Sequence, residues 1–237
     1  MKQDSVLCLS ATGFHRMAYV EWGPADSDKV LVCVHGLTRN GRDFDPLAQA
    51  FAEDGWRVSC PDIVGRGTSG RLADPKGYGF PQYLADMTVL LARIGAGQVD
   101  WLGTSMGGLI GLQMAGLQLA AKSGGPIRRL ILNDVGPFIP KASLERIGSY
   151  LDQRPRFATA AEAEAYVREV YAPFGRLTDA QWAHLARHSF RADGEGLLEP
   201  NYDTGIAVPF KAAPAADADL WALWDQLRLP PLVVRGE

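Results

Sequence analysis

No stretch of about 18 consecutive apolar residues occurs in this 237-residue sequence, so it offers no membrane-spanning helix. A basic block is also missing. The 24 Lys and Arg residues are interspersed among 27 Asp and Glu, giving a net charge of -3, and a nucleic-acid partner is not expected. Cysteine is scarce: Cys8, Cys33 and Cys60 form an odd set with no CxxC or Cys/His metal spacing. Cys33 and Cys60 fall inside apolar runs, so the cysteines are read as reduced core residues, and neither a metal nor a cofactor is expected. The opening segment, Met1 to Ser10, holds an apolar stretch of four residues, too short for the core of a signal peptide. These absences lead to the expectation of a cytoplasmic protein acting on a small molecule.

What is present is a hydrophobic fraction of 47%, enough to bury a sizeable core. Val6 to Leu9 and Arg16 to Trp22 read as an opening hairpin. Val30 to Val34 is a continuous β-branched apolar run, the pattern of a strand buried on both faces. Helical patterns at Asp43 to Ala52, Pro81 to Ile94 and Ser105 to Ala121 alternate with strand patterns at Trp56 to Cys60, Val99 to Leu102 and Arg129 to Leu132. This order predicts an α/β fold: a mostly parallel sheet with right-handed crossovers and helices on both faces. The alternation stops after Pro137. Three helical stretches follow with no strand between them, and Thr159 with Glu162 and Thr178 with Gln181 have capping-box spacing. A further helix is expected near Asp217 to Gln226, and the sheet resumes at Leu232 to Val234. The domain reading is therefore a core over 1–136, an inserted helical lid over 137–205, and the core resumed over 206–237.

The residues that carry chemistry begin at Gly103-Thr104-Ser105-Met106-Gly107. A GxSxG pentapeptide alone is a weak signal, but here an apolar strand precedes it and a helix follows. Such a turn is sharp and strained, with backbones packed closely enough that side chains at the two glycines would collide. Ser105 is then the candidate nucleophile, at a helix start whose amides favour developing negative charge. The strand Val30 to Val34 runs into His35-Gly36-Leu37. His35 sits on a rigid strand end and is expected to be structural rather than a catalytic base. A third segment, Asp62-Ile63-Val64-Gly65-Arg66-Gly67-Thr68-Ser69, is read as a glycine-rich turn and not as a phosphate loop. His184 and His188 share one helical face at i and i+4 without the glutamate of an HExxH motif, and packing is the role expected for them.

His-Gly after one strand, Asp-x-x-Gly-x-Gly-x-Ser after the next, then Gly-x-Ser-Met-Gly-Gly, resembles the α/β-hydrolase superfamily over nearly the whole chain. Asn133-Asp134-Val135-Gly136-Pro137 is similar to esterase-like members. The resemblance implies strand order 1-2-4-3-5-6-7, with the second strand antiparallel. It implies an oxyanion hole made by the backbone N–H groups of Leu37 and Met106, and a helical lid whose Phe138 and Trp182, with Phe210 just beyond, wall an acyl pocket. It also implies a triad in the order nucleophile, acid, histidine. The chain ends at Val233-Val234-Arg235-Gly236-Glu237 without such a histidine, and is expected to be a truncated or incompletely recorded form of a longer protein. Asp134 is the fallback acid.

The activity implied is hydrolysis of carboxylic esters through an acyl-enzyme. Haloalkane dehalogenases and epoxide hydrolases of the fold use an aspartate nucleophile, which Ser105 excludes. Carbon–carbon bond hydrolysis is lowered by Leu37-Thr38-Arg39-Asn40 standing in place of a Gly-Pro-Gly-Ala-like loop. Carbon–carbon bond hydrolysis, lactone hydrolysis and a non-catalytic ligand-binding protein remain as alternatives.

Overall fold

The computed structural model describes residues 1–118, 125–212 and 216–236. β1 (Lys2–Ser10) and β2 (Gly13–Trp22) form the opening hairpin. There follow β3 (Val30–Val34), α1 (Asp45–Glu53), β4 (Arg57–Pro61), α2 (Phe80–Ile94), β5 (Val99–Thr104), α3 (Met106–Gln118) and β6 (Ile127–Asn133). The chain then makes an excursion through β7 (Phe138–Ile139), α4 (Lys141–Gly148), α5 (Ala160–Val170), α6 (Asp179–Ser189), β8 (Phe190–Ala192), β9 (Leu198–Pro200), α7 (Ala207–Ala212), β10 (Ala218–Asp219) and α8 (Trp221–Trp224). β11 (Leu232–Val234) closes the seven-stranded sheet, whose order is β1-β2-β4-β3-β5-β6-β11. β2 is antiparallel to both neighbours, and every pairing from β4 to β11 is parallel. The order and the antiparallel second strand are those expected.

β3 shows why an unbroken apolar run makes a central strand. Side chains alternate across a sheet, so such a run needs a hydrophobic layer on each side. Val30, Val32 and Val34 enter the larger cluster with Met87 and Leu90 of α2 and Ile110 of α3. Leu31 and Cys33 enter the other with Phe44 and Ala48, the latter from α1. All three cysteines are buried and free, as expected. Among the described residues no helix is long and apolar enough to cross a membrane.

Several boundaries differ from the expectation. The helix expected from Ser105 begins at Met106, and its last residues, 119–121, lie outside the described residues. The helix expected over Asp217 to Gln226 is the short α8, preceded by β10. The excursion is not purely helical. β7 pairs antiparallel with β10 and stitches its two ends together, while β8 and β9 form a small ribbon. These pairings join residues far apart in sequence or too few to show an alternation, so no local pattern announces them. Both capping boxes are present: Thr159 and Thr178 accept from the backbone N–H groups of Glu162 and Gln181, whose side chains reach back.

Trp182 does not wall a pocket. It is 7% exposed and packs with Ala163, Val167, Ala186 and Phe190 in a small core private to the excursion. Two amphipathic helices that stand off the sheet must bury their apolar faces against each other, and Trp182 is the largest residue available to do so. Phe138 is 45% exposed, and Phe210 packs beside Ile147 on the main core.

Candidate active site

The site is built at the carboxyl ends of β3 and β5. Ser105 adopts φ 50, a left-handed conformation that a residue with a Cβ holds at a cost of about 1–2 kcal/mol. What holds it is close approach. A Cβ on Gly103 would lie 2.3 Å from the Gly107 carbonyl, and one on Gly107 would lie 2.0 Å from the Val34 oxygen. Neither neighbour is a side chain that can swing away, so both positions require glycine. The Ser105 N–H donates to Asn133 O at 2.9 Å, and the Trp101 Nε1–H donates to Gly107 O at 3.1 Å. The turn is thereby clamped between β3 and β6, with Ser105 half-buried.

His35 orients the next peptide. It is fully buried, and burial depresses its pKa to about 4, so the ring is neutral. Its Nε2 accepts from the Ile63 N–H at 2.9 Å, which fixes the proton on Nδ1, and Nδ1 donates to Gly36 O at 2.7 Å. The Arg39 N–H reaches the same carbonyl at 3.1 Å. In a trans peptide the C=O and N–H point in opposite directions. Fixing the Gly36 carbonyl therefore also fixes the Leu37 N–H, in a loop that lies close to the serine: a Cβ on Gly36 would lie 3.8 Å from Ser105 Cβ. Met106 is the first residue of α3, so its N–H has no partner within the helix.

Asp134 follows β6 directly with φ 56; its N–H donates to Val234 O at 2.8 Å and its side chain is exposed. The turn around Asp62 carries G-x-G-x-x-G spacing at Gly65, Gly67 and Gly70. Its geometry is not that of a phosphate cradle. The Asp62 carboxylate fills the turn, accepting from the Gly41 and Thr68 N–H groups, both at 2.8 Å, and a Cβ on Gly67 would meet it at 2.2 Å.

None of the four histidines hydrogen-bonds Ser105. His15 Nε2 lies 2.9 Å from Asp86 Oδ2 in a buried pair beside Cys8. His184 Nε2 donates to Arg42 O at 2.9 Å and stacks edge-on against His188, whose pKa burial lowers to about 4. Cys8, His15 and Asp86, and likewise Asp45, His184 and His188, bring metal-ligating atoms within 4.8 Å of one another. The Nε2 atoms of His15 and His184 already have partners. A polar cavity of about 410 Å³ between β2 and the Asp62 turn is lined by Asn40, Arg42, Thr68 and His188, and does not include Ser105.

The excursion docks on the loops leaving β3 and β4. Arg39 Nη1 donates to Ser189 Oγ at 2.7 Å, Asn40 Nδ2 to His188 O at 2.8 Å, and Tyr78 Oη to Asp203 Oδ2 at 2.7 Å. Arg39 and Asn40 escaped sequence reading because their partners lie about 150 residues away. A sequence profile described as the alpha/beta hydrolase fold matches residues 29–227. The chain belongs to the α/β-hydrolase fold family. As a member it is 48% identical, over 98% of its own length and 80% of the relative's, to a 3-hydroxybutyrate-oligomer hydrolase of Cupriavidus necator. The structure of a hydrolase from Rickettsia typhi superposes with a TM-score of 0.89 at 30% identity, over 98% of this chain and 81% of that one. An alpha/beta hydrolase from Novosphingobium aromaticivorans superposes with a TM-score of 0.82 at 36% identity, over 99% and 81%.

Proposed function

We propose that this α/β hydrolase cleaves carboxylic esters of small molecules through an acyl-enzyme on Ser105, and that short hydroxy-acid oligoesters are its substrate class. The observation that supports the mechanism is the strained Ser105 at φ 50, directly before α3 and close to Gly36. Ser105 Oγ attacks the ester carbonyl and loses its proton to a base. The carbonyl π pair moves onto oxygen, where the Leu37 and Met106 N–H groups donate to it. Collapse expels the alcohol, which takes up the proton, and water then releases the acid by the same steps. Asp134, directly after β6, is the acid this reading offers. No histidine among His15, His35, His184 and His188 is bonded to Ser105, so the reading assigns the base to none of them. The substrate class follows from the 3-hydroxybutyrate-oligomer hydrolase relative, and residues 137–205, docked on the site loops, act as the lid. The protein is assigned to the cytoplasm, with no cofactor in the reaction.

Trapping tests the reading. In a form of the protein that carries its histidine base, Ser105→Ala is expected to abolish hydrolysis of p-nitrophenyl butyrate and of a 3-hydroxybutyrate dimer, and a fluorophosphonate is expected to label Ser105 alone. Unchanged turnover in Ser105→Ala places the chemistry elsewhere. Absence of both labelling and turnover in a form of the protein that carries its histidine base identifies a non-catalytic binding protein.

A further inference from the structure

The loop after β4 places a cation where a cation is costly. Arg66 lies between Gly65 and Gly67 and is 1% exposed. A buried charge is ordinarily paired with an opposite one. Among the described residues Arg66 pairs with no carboxylate, and all its hydrogen-bond partners are neutral. Nε donates to Leu37 O at 2.8 Å, and Nη1 donates to Val64 O at 2.7 Å and to Tyr83 Oη at 3.1 Å. Nη2 reaches Met106 Sδ at 3.6 Å. The guanidinium carbon stands 5.1 Å from the Tyr83 ring centroid and 5.8 Å from that of Tyr78, close enough for the ring faces to offset part of the desolvation.

Two of those partners belong to the proposed reacting centre. Leu37 and Met106 supply its two amide donors, and they come from different loops, after β3 and after β5. One rigid, planar fork from a third loop touches both. If anchoring were its whole purpose, a neutral donor would hold the same carbonyls without burying a charge. The guanidinium keeps its charge unspent, and in a dry interior the field of such a charge is weakly screened.

We propose that Arg66 is a positioning residue for the oxyanion hole. It holds Leu37 and Met106 in fixed relation and lends uncompensated positive charge to the oxygen that becomes negative. The inference rests on the reading of Ser105 and its two amides as the reacting centre. It assigns a task to a residue that sequence reading passed over, although an arginine between two glycines in a strand-end loop is the signal that marks it.

The test compares Arg66→Met and Arg66→Lys with the parent and with Ser105→Ala. Turnover of p-nitrophenyl butyrate is normalised to the amount of Ser105 that a fluorophosphonate labels at completion, so misfolded protein is not counted. Arg66→Met is expected to lower kcat per labelled serine about 10²-fold, the loss typical of a disturbed oxyanion hole, with KM within about threefold of the parent. Affinity for a trifluoromethyl ketone, which forms a tetrahedral oxyanion on the serine, falls in step with kcat/KM. Arg66→Lys keeps the charge without the fork and is expected to recover about tenfold of the loss. A purely structural arginine would lower the labelled fraction and leave kcat per labelled serine alone. Parity of that quantity in Arg66→Met overturns the proposal. Should Arg66→Met not fold, Arg66→Lys decides: a loss of about tenfold at constant KM supports it, and parity overturns it. If Ser105→Ala retains parent turnover, the reading of the reacting centre has failed, independently of the Arg66 variants.

Discussion

Single residues here trade stability for position. Ser105 at φ 50 keeps a strained backbone that its glycine neighbours and the Asn133 carbonyl enforce. Replacing it separates the side chain from the strain. Ser105→Ala removes the hydroxyl and keeps the Cβ, whereas Ser105→Gly removes both. The glycine variant is therefore expected to be more stable than the alanine variant by about 1 kcal/mol, although both lack the hydroxyl. Equal denaturation midpoints for the two would mean that the elbow stores no strain.

His35 makes a second residue-scale case, through its protonation. Its folded pKa, about 4, lies below the ordinary 6.5. The unfolded chain takes up a proton below pH 6.5 that the folded state refuses until about pH 4. The stability His35 contributes is thus intact above about pH 6.5 and is lost as pH falls toward 4, by roughly 3 kcal/mol in total. His188 is shifted in the same direction and adds to the slope. Urea midpoints measured between pH 7 and pH 4.5 should fall in the parent and fall less steeply in His35→Asn. An unchanged slope would show that the His35 ring is accessible to protons in the fold.

At the scale of elements, the excursion has its own small core and its own caps. A change confined to it should loosen it without loosening the sheet. Thr178→Ala removes one half of the capping box at the start of α6 and is expected to cost about 1 kcal/mol there. Hydrogen exchange should show α6 amides less protected by about fivefold, with β3 and β5 unchanged. Loss of protection in β3 as well would join the two cores into one cooperative unit. The same elements show what a sequence discloses. β3 was legible because burial on both faces leaves an unbroken apolar run, and the capping boxes because their partners are three residues apart. The β7–β10 pairing was not legible, since Phe138–Ile139 meets Ala218–Asp219 across some 80 residues with no periodicity to read. Trp182 was misplaced for a related reason: an aromatic on an amphipathic helix shows that it will be buried, not against what.

At the scale of the whole molecule, strand order followed from family resemblance joined to alternation, and the sheet obeys it throughout. The candidate site was legible where the backbone carries it, in the glycines around Ser105 and the His35-Gly36 turn. It was not legible where one side chain reaches across loops, as Arg66 does to Leu37 and Met106. Such contacts exist only once the sheet has brought three strand ends side by side.

The three buried thiols also make the protein a recorder of its own opening. Cys33 and Cys60 lie in the layer beneath α1, while Cys8 lies in the other layer on the edge strand β1. Burial raises the Cys8 thiol to about 12, and a hydrogen bond with Cys33 together with burial holds Cys60 well above its ordinary value, so neither offers thiolate to a reagent while sealed. In an aromatic disulfide reagent, colour appears only as a seal breaks. If the edge hairpin peels first, one equivalent is released early and two follow at a slower, steeply denaturant-dependent rate. If the sheet parts as a single body, three equivalents arrive together. A stopwatch and a spectrophotometer would thereby report which side of the sheet lets go.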